Sequence, residues 1–169
     1  TGCPIPVGGE KLTEKITKVI WELHAAAQKY FTLKGKFVHI NGELFAMRKD
    51  IVEYVLKDIV NEDAYIAVKC KTKGYRLIME EKAKIYFKSP TTISDLIDKR
   101  RRIVYGHLKV KKETGFTPCV LEMSPFQDQI SVISRFLIRN MNYIPIFLLA
   151  FLLEIYVNIL ARIDMMKKS

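Results

Sequence analysis

Asn61-Glu62-Asp63-Ala64-Tyr65-Ile66 sets two adjacent carboxylates just before an apolar, helix-patterned run that extends from Ala64 to Cys70 and closes at Gly74. The pattern predicts that Asp63 caps this helix, with Glu62 just ahead of it. A helix start favours negative charge by a few tenths to ~1 kcal/mol, so capping alone accounts for an acidic pair. The same position also suits a general base. A carboxylate kept ionised at a helix start, with cations downstream, can take a proton from an acceptor hydroxyl.

Such cations follow. A long helix is predicted from Thr92, with Asp95 three residues on as a capping-box variant, to about Thr114, with Gly115 as its terminator. It carries Lys99-Arg100-Arg101-Arg102, and Lys109, Lys111 and Lys112 come after. Successive helical residues point about 100° apart, so four consecutive cations cannot share one face. Lys99 and Arg102 share a face with Gly106. Some of the four must turn toward a partner or the core, unless the run is simply a solvated charged surface.

Upstream, Thr1 to Gly9 holds two prolines and three glycines and reads as a loop. Lys11 to Phe31 is an amphipathic helix, with Ile16, Val19, Ile20, Leu23 and Ala27 at helical spacing. Trp21 and His24 flank that face, and His24 reads as packed or solvent-facing rather than as a ligand. Lys36 to Ile40 is a short predicted strand, and Asn41-Gly42 is a turn signal. Gly42 either permits a positive φ or lets a sugar approach the backbone. A short helix is predicted from Asp50 to about Lys57. Tyr75 to Glu80 and Lys84 to Lys88 read as strands, the second broken by Ser89-Pro90.

Downstream, 116–123 is irregular. Ser124 to Asn140 is amphipathic, with Ile130, Ile133, Phe136 and Leu137 against Arg135 and Arg139, as in a helix lying at a membrane surface. From Asn140 to Ala161 the only charge is Glu154, and the run is long enough to span a bilayer. Glu154 and Asn158 lie one turn apart and would need a partner helix or polar cavity there. Arg135 and Arg139 on one side and Arg162, Lys167 and Lys168 on the other leave the orientation open.

The 28 Lys and Arg against 18 Asp and Glu give a net charge of +10, so anionic partners are expected: nucleotide diphosphates, phospholipid head groups or nucleic acid. Nucleic acid is disfavoured, because no recognition motif accompanies the basic run and a membrane helix argues against it. Three scattered cysteines, Cys3, Cys70 and Cys119, lack metal-ligand spacing and suit a reducing compartment. With Thr1 first and no signal peptide, the chain reads as a piece of a longer protein.

The ordered set Gly42-Glu43-Leu44-Phe45-Ala46-Met47-Arg48, Glu62-Asp63, Gly74-Tyr75, Ala83, Pro90 and Arg100-Arg101-Arg102 with Gly106 resembles an inverting family 2 glycosyltransferase. The likeness is to the membrane-anchored type related to cellulose, chitin and hyaluronan synthases. It covers roughly 34–115, and the membrane tail is also similar. The resemblance implies an α/β fold, the C-terminal half of a GT-A glycosyltransferase fold over 1–122, then an interfacial helix (123–140) and a transmembrane helix (141–163). It implies Asp63 as the base with Glu62 in support. Lys99, Arg101 and Arg102 would hold the donor diphosphate and acceptor region, and Gly42 and Glu43 would lie by the acceptor. The implied substrates are a nucleotide-sugar donor and a saccharide or lipid-linked acceptor. The implied location is the membrane, with the catalytic part cytoplasmic.

The match departs from the family's Gln-x-x-Arg-Trp motif, since Lys99 stands at the Gln and Ile103 at the Trp, while Arg102 keeps the Arg. No Asp-x-Asp is present, so Mg2+ or Mn2+ would serve the parent enzyme through ligands outside this chain. A separate N-terminal half would supply them, and the chain alone is expected to be inactive. The competing expectation is a non-catalytic membrane-bound protein that grips anionic lipid through its basic helix.

Overall fold

The computed structural model describes residues 1–51, 59–119 and 124–167, so the helix expected from Asp50 to Lys57 falls almost wholly outside the described residues. Helices dominate. The chain runs β1 (Cys3–Val7), α1 (Leu12–Leu33), α2 (Glu62–Thr72), β2 (Lys84–Lys88), α3 (Ile93–Thr114), α4 (Phe126–Arg139), a 3-10 turn (Met141–Tyr143) and α5 (Ile144–Lys167).

The segment read as an N-terminal loop is a strand. β1 pairs in parallel with β2, in register from Cys3 opposite Lys84 to Val7 opposite Lys88. Pro4 and Pro6 do not prevent it. Donors alternate sides along a strand, so prolines at alternate positions leave one side of the ladder intact. Cys3 N donates to Ala83 O at 2.8 Å on that side.

The strands expected at 36–40 and 75–80 do not form; both segments are irregular. Their polar groups find other partners. Gln28 Nε2 donates to His39 O (3.2 Å), and Asn41 N to Thr1 Oγ1 (2.8 Å). Met79 N donates to Thr32 Oγ1 (3.0 Å), and Glu80 N to Thr1 O (2.9 Å). Val38 and Ile40 are nevertheless buried, in apolar groups built with Phe31, Met79, Ile66 and Cys70. Apolar pattern and burial were legible there; a neighbouring strand was not.

α3 begins as expected, with Thr92 Oγ1 accepting from Asp95 N, and ends at Gly115 with φ 74°. Its Leu96 packs with Ile16 of α1 and Ala150 of α5, and its Val104 with Val157 and Ala161 of α5. Asp128 of α4 accepts from Tyr30 Oη (2.8 Å), Lys34 Nζ (2.9 Å) and Lys36 Nζ, which fastens α4 to α1. α5 turns one side to α1 and α3 and presents Leu148, Phe151, Leu152, Ile155 and Ile159 outward.

Candidate active site

A cavity of about 1210 Å3 opens between α1, the segment around Asn41, the start of α2, α3 and α5. Asp63 lies in its wall, but not as the cap. Asn61 is the N-cap of α2 and Asp63 sits inside the first turn. The side chain of Asn61 serves another purpose: Nδ2 donates to Ile103 O of α3 at 3.1 Å. A Cβ at Gly106 would stand 2.4 Å from Asn61 Cγ, so glycine there allows α2 and α3 to meet.

Asp63 is held by two backbone donors. Its Oδ1 accepts from Ala64 N at 2.7 Å and its Oδ2 from Gly42 N at 3.1 Å. Gly42 has no positive φ; a Cβ there would stand 2.9 Å from Asp63 Oδ2. The turn glycine therefore makes room for the carboxylate. The Asp63 side chain keeps 27% of its surface exposed, enough to meet a substrate. Glu62 and Glu43 line the same cavity.

The basic run divides. Lys99 and Arg102 line the cavity with Asp63. The Lys99 ammonium lies 4.8 Å from the centre of the Phe87 ring. Burial pulls it below its ordinary range, Glu43 opposes this, and Arg100 and Arg102 add to it. Arg100 also borders the cavity, but its guanidinium makes two bonds to Glu154 of α5, at 2.6 and 3.0 Å. Arg101 turns away from the cavity and makes a forked pair with Asp164. Asp63, Glu62, Gly42, Glu43, Lys99 and Arg102 are thus brought together, and Arg101 stands apart.

Sequence reading took His24 as packed or solvent-facing and missed His39 and His107. The chain has three histidines, and all of them line this cavity. The His39 ring lies edge-on to His24 and His107, with centroids 6.1 and 5.3 Å away. Its Nε2 lies 3.9 Å from Asp63 Oδ2. Burial, with His24 adding to it, drives His39 down to about 3; burial and then His39 drive His107 to about 3. Burial also lowers His24, against its hydrogen bond with Asn41. The cluster is therefore uncharged at neutral pH. His39 was discoverable only through its place two residues before the Asn41-Gly42 turn, because its neighbours come from distant helices.

The family model for glycosyl transferase family group 2 matches residues 2–163. The chain belongs to this family. No curated protein and no solved structure matches it. Membership in glycosyl transferase family group 2 implies a sugar donor and an acceptor as substrates. The match takes in α4 and nearly all of α5, so these helices lie within the family's own span. A divalent cation often serves glycosyl transfer, but the residues do not fit one: among the described residues no three His, Cys, Asp or Glu side chains are placed to hold a metal ion together.

Proposed function

We propose that this family 2 glycosyltransferase chain performs the acceptor-side chemistry of an inverting transfer from a nucleotide-sugar to a saccharide or lipid-linked hydroxyl. The observation that carries the reading is the shared cavity, with Asp63 at one wall and Lys99 and Arg102 at another. Asp63 draws the proton from the acceptor O–H. The freed oxygen pair forms the new bond to the anomeric carbon on the face opposite the leaving group. The bond from that carbon to the phosphate oxygen breaks, and the electron pair departs with the nucleoside diphosphate. Lys99 and Arg102 meet the charge that develops there. Two backbone N–H groups hold Asp63 in place for this work.

The finer architecture follows the same reading. The chain corresponds to the acceptor-side half of a GT-A fold, and a separate half holds the nucleoside and its Mg2+ or Mn2+. α5 anchors the protein in the membrane, with its outward Leu148, Leu152, Ile155 and Ile159 toward lipid, and the catalytic part is cytoplasmic. Glu154, a charge within that apolar helix, is paired with Arg100. The lipid-gripping alternative finds less support. Of the basic helix from Lys99 to Lys112, Arg100 and Arg101 are bound to α5, and Lys99, Arg102 and Lys111 line the cavity, so most of its cations are engaged within the protein.

Asp63→Asn in the whole membrane protein tests the reading. Transfer should fall about 100-fold or more, with nucleoside diphosphate affinity unchanged. Transfer at the normal rate removes Asp63 from the chemistry. Turnover of a nucleotide-sugar by the isolated chain would overturn the assignment of the donor half elsewhere.

A further inference from the structure

His39 is placed where a reaction at Asp63 would require a second hand on the substrate. It is buried to all but 8% of its surface, yet it contributes to the cavity wall. Its Nε2 faces Asp63 Oδ2 at 3.9 Å. That is too long for a direct hydrogen bond. It suits an oxygen bound to both, at about 2.8 Å from each.

The other ring nitrogen settles which one carries the proton. A neutral imidazole has one N–H and one bare acceptor, and a carbonyl or carboxylate at Nδ1 is the usual device for fixing the proton there. His39 Nδ1 is buried with no hydrogen-bond partner among the described residues. Among the described residues nothing draws the proton to Nδ1, and the nearby Asp63 carboxylate favours it on Nε2.

We propose that His39 binds the attacking hydroxyl of the acceptor, donating its Nε2–H to that oxygen while the hydroxyl donates to Asp63 Oδ2. This rests on the assignment of Asp63 as the base. The proton of the O–H bond goes to Asp63, the oxygen forms its bond to the anomeric carbon, and the leaving diphosphate takes the electron pair of the bond it breaks. His39 changes neither charge nor bonding in the step. It aims one lone pair of the oxygen and leaves another free to attack. Its neutrality matters, because an imidazolium would pair with the carboxylate and weaken the base. Burial supplies that neutrality. Gly42, beside Asp63, offers no side chain to obstruct the approach.

The test uses the whole membrane protein and the nucleotide-sugar it turns over. His39→Phe should raise the acceptor KM about tenfold or more, with the donor KM unchanged. His39→Gln, which restores an N–H, should stay within about threefold of the unaltered protein. Equal losses with Phe and Gln, or loss that follows thermal stability alone, would overturn the proposal. Asp63→Asn run in parallel separates the two claims. A normal rate there defeats the base assignment, whereas a dead Asp63→Asn beside an unaffected His39→Phe defeats only the role of His39. Ring-nitrogen NMR of the unaltered chain at pH 7 is independent of substrate and of variant folding. It should show His39 neutral with the proton on Nε2; a proton on Nδ1, or on both nitrogens, refutes the idea.

Discussion

Two cations of α3, Lys99 and Arg102, line the cavity with Asp63, while the two between them, Arg100 at the cavity's border and Arg101 away from it, are fastened to carboxylates of α5. They are sequence neighbours with the same charge, and helical geometry alone separates them. Positions three apart stack on one face, and those between are carried around the helix. The pair on the cavity side is free to meet a developing phosphate charge. The pair on the α5 side neutralises Glu154 and Asp164. A basic run can therefore build a substrate surface and a structural seam at once.

Acid should produce the largest effect, and it should act on the cavity wall. The cavity wall holds His39 and His107 near 3, against 6.5 when unfolded. Their folded values are depressed, so the unfolded chain binds more protons between those limits. The stability they contribute is fully present above pH 6.5 and lost as pH falls toward 3. With both titrating, the slope reaches about 2.7 kcal/mol per pH unit, and His39→Gln should halve it. Thermal unfolding in detergent across this range measures it, and a flat profile would show that the histidines are not buried uncharged.

The seam comes next. Arg100 and Glu154 keep only 20% and 27% of their side-chain surface. Arg100→Ala leaves Glu154 unpaired and should cost about 3 kcal/mol, whereas Arg100→Met combined with Glu154→Leu should recover most of it. If Arg100→Ala lowered transfer without lowering stability, Arg100 would belong to the substrate surface and the division would be wrong. Arg102→Ala should do the opposite. Transfer should fall about tenfold or more, with stability within about 0.5 kcal/mol, since the side chain is exposed and lines the cavity.

What the chain disclosed in advance follows the same division between local and distant. Thr92, Asp95 and Gly115 announced both ends of α3, because caps are made within a few residues. The apolar periods of α1, α4 and α5 were legible for the same reason. β1 was hidden because Pro4 and Pro6 look like loop chemistry until β2, some 80 residues later, is set beside them. Asp63 seemed the cap because nothing local showed that Asn61 would take that place and reach across to Ile103. The need of Glu154 for a partner was evident from its apolar surroundings, but not that Arg100 would meet it. His24 was legible as a residue beside the apolar face of α1, but not that His39 and His107, from two other segments, would gather around it.

The smallest expected effect is also the control for the others. Thr92 Oγ1 accepts from Asp95 N at 3.1 Å and donates to Asp95 Oδ2 at 2.6 Å, which satisfies one of the free donors at the start of α3. Thr92→Ala should cost about 1 kcal/mol, and Thr92→Ser should restore it. The cap acts on the helix as a body, upstream of all four cations, and touches neither the cavity nor α5. Its loss should lower the unfolding temperature while leaving kcat/KM per folded molecule unchanged. A fall in kcat/KM would mean that the first turn of α3 sets the position of Lys99 and Arg102. Weakened helix packing would then affect both faces, and the contrast between cavity and seam would be one of degree.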